Sequence, residues 1–525
     1  MRLLVRLLVS FAICLVIVPS LAHRAMGQVD SEPYITLSPD TGVPGTPVSV
    51  RGGNFTAGAW VDVYYYVDAT QRIPVAEVKA DYDGDFRVKF EVPESCKGRH
   101  KVRAEVNATF YAEQEFTVVP GLTISPVEGS VATNVTVEGH GFGEKEKNIE
   151  LLFYLDGNYT AVVRNITADE DGWWRRSFQV PSSARGSHKI DARGSVSKLG
   201  DVQDASFRVM PSINLDKPSG SPGEAINMTG YGFAANDRYI KIIFAGAEAQ
   251  TDPAVIRADD KGYWQGSFLV PEKPRGTYNV TAQGESTSER EVPPLTFNIT
   301  AGLRLSPAEG HVGMDLTVIG RGFATNKDVV IKYEDVVQAS TTTDGKGGFE
   351  VTFTVPESQH GARLVTARDA AGNNASTTFT MESGPPGMPE LISPSNGTRV
   401  SFLGRAKPTL NWSEVFDLSG VRYNLQIGTS ANVTADGFSN TTRVFSKQSW
   451  EATNYTLETA LGFGTYYWIV QAVDRAGNAG NWSEPISFRV GVMPLWAFIL
   501  CIVAAAAGIA TLVYFFVIRR RLYYY

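Results

Sequence analysis

The chain has 525 residues, 20% of them charged, with a formal net charge of −7 at pH 7, 50 glycines and 27 prolines. That length exceeds what one hydrophobic core supports, so several domains are required. The acidic balance argues against nucleic acid as a partner, and short alternating runs rich in Thr, Val and Tyr point to β-sheet modules rather than a helical enzyme.

At the N-terminus, Arg2 and Arg6 precede an apolar run that gives way to small residues. This is the build of a secretory signal peptide over residues 1–27, with cleavage after Ala22 or Gly27. No small-residue cleavage box precedes Cys14, which argues against a lipoprotein anchor. Cys501 falls in an apolar stretch near the other end, so Cys96 stands alone outside and no disulfide is expected.

Four repeats follow. SPDTGVPGTPVSVRGGNF starts at Ser38, SPVEGSVATNVTVEGHGF at Ser125, KPSGSPGEAINMTGYGF at Lys217 and SPAEGHVGMDLTVIGRGF at Ser306. Their prolines, Pro39, Pro126, Pro218 and Pro307, stand 87, 92 and 89 residues apart, about one β-sandwich each. Every unit carries a second block: DYDGDFRVKFEVP, DEDGWWRRSFQVP, DDKGYWQGSFLVP and DGKGGFEVTFTVP. Five residues after its last proline comes a glycine, Gly98, Gly186, Gly276 or Gly361, leading into a further strand.

The second block of the second repeat combines acidic, aromatic and cationic residues. Aligned with its sisters, Trp174 takes the place of Phe86, Trp264 and Phe349, and Phe178 that of Phe90, Phe268 and Phe353, an inward face with period two. The preceding Asp-x-x-Gly reads as a hairpin connection capped by its carboxylate, with Gly84, Gly172, Gly262 or Gly347 at positive φ. Arg176 is expected to pack its stem and free its head. Trp173 stands where the others have Asp85, Tyr263 and Gly348, so Trp173 with Arg175 is the candidate ligand-binding pair of the stretch. In the first repeat Asp81, Asp83 and Asp85 are a candidate Ca²⁺ site, although Lys261 and Lys346 at related places favour turn capping.

Each repeat resembles an IPT/TIG-type immunoglobulin-like domain, whose first hairpin carries spaced glycines ending in Gly-x-Gly-Phe. The resemblance covers roughly residues 33–382. The third copy departs with Asp216-Lys217 before its proline, and the first with Gly53-Asn54 where the others end in Gly-Phe. The resemblance implies a spacer or binding module rather than catalysis.

After a Pro-rich linker at 384–389, the segments PTLNWSEV, VRYNLQIGT and GTYYWIVQAVDRAGNAGNWSEPISFRV resemble a fibronectin type III-like domain. The resemblance implies Trp412 as its core tryptophan and Tyr467 as the tyrosine whose hydroxyl bonds back to the chain. Pro494–Ile518 is long and apolar enough to cross a bilayer. Arg519, Arg520 and Arg521 then place a short tail, 519–525, in the cytoplasm.

The expected domains are therefore immunoglobulin-like repeats at 33–120, 121–211, 212–300 and 301–383, a fibronectin-like domain at 390–491 and a transmembrane helix at 494–518. The fold class is all-β, with tandem sandwiches in a rod and one C-terminal membrane helix. Setting aside Arg2, Arg6, Arg24 and the three tail arginines leaves 42 basic residues against 55 acidic ones, a net charge of −13 for the exported part.

Asn-x-Ser/Thr occurs at Asn54, Asn107, Asn134, Asn158, Asn165, Asn227, Asn279, Asn298, Asn374, Asn396, Asn411, Asn432, Asn440, Asn454 and Asn481. Chance would place roughly one asparagine in eight in such a sequon, so an N-glycosylated outer surface is expected. His-Glu-x-x-His, Gly-x-Ser-x-Gly and cysteine clusters are missing from the sequence. His100 and His188 share one strand position, with Tyr278 and Leu364 in the other repeats, and read as packing. The chain is not expected to be an enzyme or to hold a cofactor other than Ca²⁺.

The leading function is a glycosylated structural or adhesive protein, single-pass in the cell membrane, with its bulk outside. Its expected partners are surface proteins or polysaccharide, together with other copies of itself. The alternative is a receptor or accessory subunit that captures a glycan or peptide.

Overall fold

The structure, a computed structural model, describes residues 32–519. The expected signal peptide, with Cys14, and residues 520–525 lie outside the described residues. The chain divides between Met210 and Pro211 into two compact units. The first holds two β-sandwiches; the second holds three and a C-terminal helix.

In the first sandwich a sheet of Tyr34–Ser38, Pro47–Gly53 and Phe86–Glu91 faces a five-stranded sheet. The larger sheet runs in the order Thr41–Gly42, Phe110–Val118, Gly98–Asn107, Trp60–Tyr66, Arg72–Lys79. The second and fourth repeats use the same three-on-five arrangement. In the third, Thr251–Asp252 adds a fourth strand to the smaller sheet by pairing with Trp264–Leu269.

Alternation in sequence produces these sheets. In WVDVYYY, Val61, Val63 and Tyr65 point inward and are fully buried, while Trp60, Asp62, Tyr64 and Tyr66 point outward. Each sandwich closes around one aliphatic and aromatic cluster, and every large side chain so buried contributes about 1.5–3 kcal/mol.

The repeat signature is one packing device. A Cβ built on Gly52, Gly139, Gly230 or Gly320 would stand 2.0, 2.1, 2.0 or 2.0 Å from the ring of Phe86, Trp174, Trp264 or Phe349. The strand therefore needs a residue without a side chain to let the core ring lie on its backbone. A second aromatic meets that ring: Phe55, Phe142, Phe233 and Phe323 pack at 5.1, 5.4, 5.4 and 5.3 Å between centroids. The backbone N–H of the same four residues donates to Gly84, Gly172, Gly262 and Gly347 at 3.0–3.1 Å.

The departure at Gly53-Asn54 is a single exchange. Asn54, at φ 62°, stands where the others have Gly141, Gly232 and Gly322, and Phe55 supplies the ring. Asparagine is among the side chains that tolerate this left-handed conformation.

Two register expectations are corrected. The fourth-repeat counterpart of His100 is Arg363, not Leu364: His100, His188, Tyr278 and Arg363 lie opposite Phe116, Phe207, Phe297 and Phe379. Leu364 faces the other way and is exposed. In the last sandwich it is Tyr466, not Tyr467, whose hydroxyl donates back, to the Gly462 carbonyl at 3.2 Å, with its ring stacked on Phe488. Both differences come from the strand period of two, where a shift of one residue changes the face.

That last sandwich sets Leu391–Ser393, Thr409–Trp412 and Asn454–Thr456 against a larger sheet. Trp412 is buried there, edge-on to Tyr423. Leu495–Val513 then forms an α-helix that continues as a π-turn over Tyr514–Ile518, with none of its residues buried.

Candidate functional site

The hairpin corner of the second repeat is built around one carboxylate. Asp169 Oδ1 accepts the N–H of Asp171 at 3.0 Å and of Trp173 at 2.8 Å, and Gly172 takes φ 79° beneath the Phe142 carbonyl. Asp81, Asp259 and Asp344 hold their corners in the same way. In the first repeat Asp81 is thus the turn cap, and Asp83 and Asp85 donate to its Oδ1 through their backbone N–H groups.

Trp174 and Phe178 are core residues, as aligned. Trp173 is half-buried, whereas Arg176 is exposed and donates to the Arg175 carbonyl. Arg175 lies opposite Glu138 across the strands, with its Nε 3.5 Å from that carboxylate, and its side chain is 60% exposed.

This corner is also a joint between modules. The loop after Pro93 of the first repeat docks on it. Cys96 Sγ donates to the Glu170 carbonyl at 2.9 Å, the Lys97 N–H to the Phe142 carbonyl at 2.9 Å, and Lys97 Nζ to Asp201 at 2.8 Å. Glu94 accepts from His140 Nδ1 at 2.7 Å. Burial, reinforced by Glu144, Asp171 and Asp169, pushes the Cys96 thiol up to about 11. The hydrogen bond to Glu94 holds His140 above its usual range despite partial burial.

The same loop serves the later joints. The Arg275 N–H donates to the Phe323 carbonyl at 3.1 Å and Glu272 pairs with Arg321. The His360 N–H donates to the Ala476 carbonyl at 2.7 Å, while Glu357 receives both Arg422 and Arg475. A textual signal exists for this role: a basic residue, Lys97, Arg275 or His360, precedes the strand glycine in each of these copies.

Among the described residues, the three carboxylates brought within 4.8 Å of one another are Glu382, Asp417 and Asp474; Asp81, Asp83 and Asp85 are not so gathered. The group lies between the fourth repeat and the last sandwich. Ser419 Oγ donates to Glu382, the Ser419 N–H to Asp417, and Asn478 to Asp474. Burial, with the charges of Glu382 and Asp474, raises the Asp417 carboxyl.

Open clefts lie at one of these joints and on the fourth repeat. One, of about 630 Å³, includes Gln250, Glu272, Arg304 and Arg321 between the third and fourth repeats. The other, of about 600 Å³, includes Val330, Leu364, Arg368 and the sequon residue Asn374 on the fourth repeat.

No family model matches the sequence, and no curated protein matches it. Among solved structures, the chain is similar to a tetra-tandem repeat in the extending region of a large adhesion protein, at 15% identity, 67% of this chain and 100% of that chain covered, and a TM-score of 0.18. It is similar to native Escherichia coli alpha-2-macroglobulin at 10% identity and a TM-score of 0.15, with 88% of this chain covered and 40% of that chain spanned. It is also similar to SGBP-B of a Bacteroides ovatus mixed-linkage glucan utilization locus, in complex with a heptasaccharide, at 14% identity, 67% and 97% coverage, and a TM-score of 0.20. The fold class itself stands on the sheet pairing described above.

Proposed function

We propose that this chain is a membrane-anchored, N-glycosylated cell-surface protein that presents immunoglobulin-like modules outside the cell in a structural or adhesive role. The observation that carries the reading is the placement of the sequons. Fourteen of the fifteen asparagines are exposed, and they occur on all five sandwiches, where attached sugars would hydrate sheet faces and edges. Asn411 alone is half-buried, its amide donating to Ser393 Oγ at 2.7 Å. The helix Leu495–Ile518 is long and apolar enough to cross a bilayer.

In this reading the repeats at 33–120, 121–211, 212–300 and 301–383 are IPT/TIG-type modules and 390–491 is the fibronectin-like pedestal. The corners of the second and fourth repeats serve chiefly as joints. A second reading, capture of a glycan or peptide, would rest on Trp173 and the largely exposed Arg175.

The test is glycopeptide mapping of the full chain expressed in a glycosylating host, together with protease digestion of intact cells. Occupied sequons and removal of the outer modules are expected; unmodified sequons on a protein inaccessible from outside would overturn the proposal. Glycan-array and whole-cell binding by residues 28–490, beside a Trp173→Ala, Arg175→Ala double variant, tests the second reading. Saturable binding lost in the variant would establish capture.

A further inference from the structure

We propose that the base of the last sandwich is itself a membrane-binding surface, with Phe402, Leu403 and Phe463 seated in the lipid interface around the helix entry point. The inference rests on the anchoring reading above and adds to it a second, independent contact with lipid.

Strand direction brings these residues together. Thr398–Ser401 runs parallel to Ile486–Val490, with Thr398 opposite Phe488 and Ser401 opposite Val490, so both strands end toward the helix. Gly464–Asp474 runs antiparallel and begins with Gly464 opposite Val490. The turns carrying Phe402-Leu403 and Phe463 therefore emerge at the end where the chain leaves for the helix. There Phe402 is 67%, Leu403 43% and Phe463 49% exposed. Water has no favourable contact to offer such a patch, whereas the bilayer interface does.

The connection leaves little slack. The Gly491 N–H donates to the Ser401 carbonyl and the Val492 N–H to the Phe402 carbonyl, each at 3.1 Å. A Cβ on Gly404 would lie 3.1 Å from the Leu495 nitrogen and the Met493 carbonyl. The Phe402 ring meets Phe498 edge-on at 6.4 Å, level with the first helical turn. Trp496, also exposed in that turn, is the residue type enriched at membrane interfaces. A 24-residue helix of about 36 Å exceeds a hydrocarbon core of about 30 Å, so its first turn and Phe402 share the interfacial layer.

Charge agrees with this seating. Residues 391–413 contain no Asp or Glu but include Arg399, Arg405 and Lys407, with Arg405 and Lys407 exposed beside the apolar turn. Such cations suit lipid phosphates. At the opposite pole, toward the fourth repeat, Phe416 is 84% exposed and provides a control position.

The experiment uses the full chain, with Cys96→Ser and Cys501→Ala, in vesicles of three parts phosphatidylcholine to one part phosphatidylglycerol. Single nitroxide labels are introduced through Phe402→Cys, Phe463→Cys, Phe416→Cys and Ile509→Cys, all at exposed positions. Accessibility to oxygen and to a water-soluble nickel chelate is compared. Labels at 402 and 463 are expected to show at least a threefold higher oxygen-to-nickel ratio than the label at 416, with the label at 509 deepest. Ratios at 402 and 463 equal to that at 416, with 509 in lipid, would overturn the inference and leave the anchor standing. Nickel access at 509 would overturn both.

Discussion

Gly139 lies under the indole of Trp174, so close that a Cβ would stand 2.1 Å from the ring. Gly139→Ala is therefore expected to destabilise the second repeat by about 3 kcal/mol, the upper range for overpacking a core. Gly345→Ala, where an added Cβ meets nothing within 4 Å, should stay within about 0.5 kcal/mol of wild type. Urea unfolding of the three proteins separates these outcomes, and equal midpoints would refute the packing account.

The Glu94–His140 contact makes the first joint sensitive to pH. Folding raises the His140 imidazole above its ordinary value of about 6.5, chiefly through the hydrogen bond to Glu94. Its contribution is thus fully present below that value and is lost as pH rises through the folded one. Stability of the first unit should fall by on the order of 0.5 kcal/mol between pH 5.5 and 8.5, because the pair is partly exposed. Glu94→Gln should flatten the profile. An identical slope in the variant would mean that another group titrates.

Cys96 should be slow to react. With its thiol pushed up to about 11 and its Sγ on the Glu170 carbonyl, alkylation at pH 8 is expected to be on the order of 100-fold slower in the folded chain than in urea. A rate equal to that of the unfolded chain would show that the joint opens freely.

Asp417 carries a cost of burial, to which the like charges of Glu382 and Asp474 add. Its carboxyl is raised in the folded chain, so folding stability declines as pH climbs from the unfolded value through the folded one, and the cost persists at neutrality. Asp417→Asn retains an acceptor for the Ser419 N–H and should stabilise the second unit at pH 7 by on the order of 0.5 kcal/mol. The gain should vanish near pH 3. Differential scanning calorimetry at both pH values checks the sign.

Sequon occupancy should follow exposure. Glycopeptide mass spectrometry is expected to find Asn411 unmodified, because its amide is engaged by Ser393 Oγ, while Asn374 and Asn481 carry sugar. Full occupancy at Asn411 would require attachment before that strand pairs.

Much of this architecture was readable from residues alone. Glycine spacing, the period-two aromatics and the Asp-x-x-Gly corners each encode a local geometry, and local geometry is what sequence period and backbone preference report. They identified Trp174 and Phe178 as core and Asp169 as a turn cap. The register errors at Leu364 and Tyr467 arose where neighbouring residues were both plausible for one face, and only cross-strand pairing decides between them.

The sequence by itself determined the repeat, the sandwich class, the apolar helix and the sequons, because these depend on short-range pattern and composition. Tertiary structure alone decided that the loop after Pro93 seats on the next corner, that Glu382, Asp417 and Asp474 converge, and that Phe402 and Phe463 flank the helix entry. Those residues are brought together by strand direction and module contact across tens of residues, distances over which no local preference carries information.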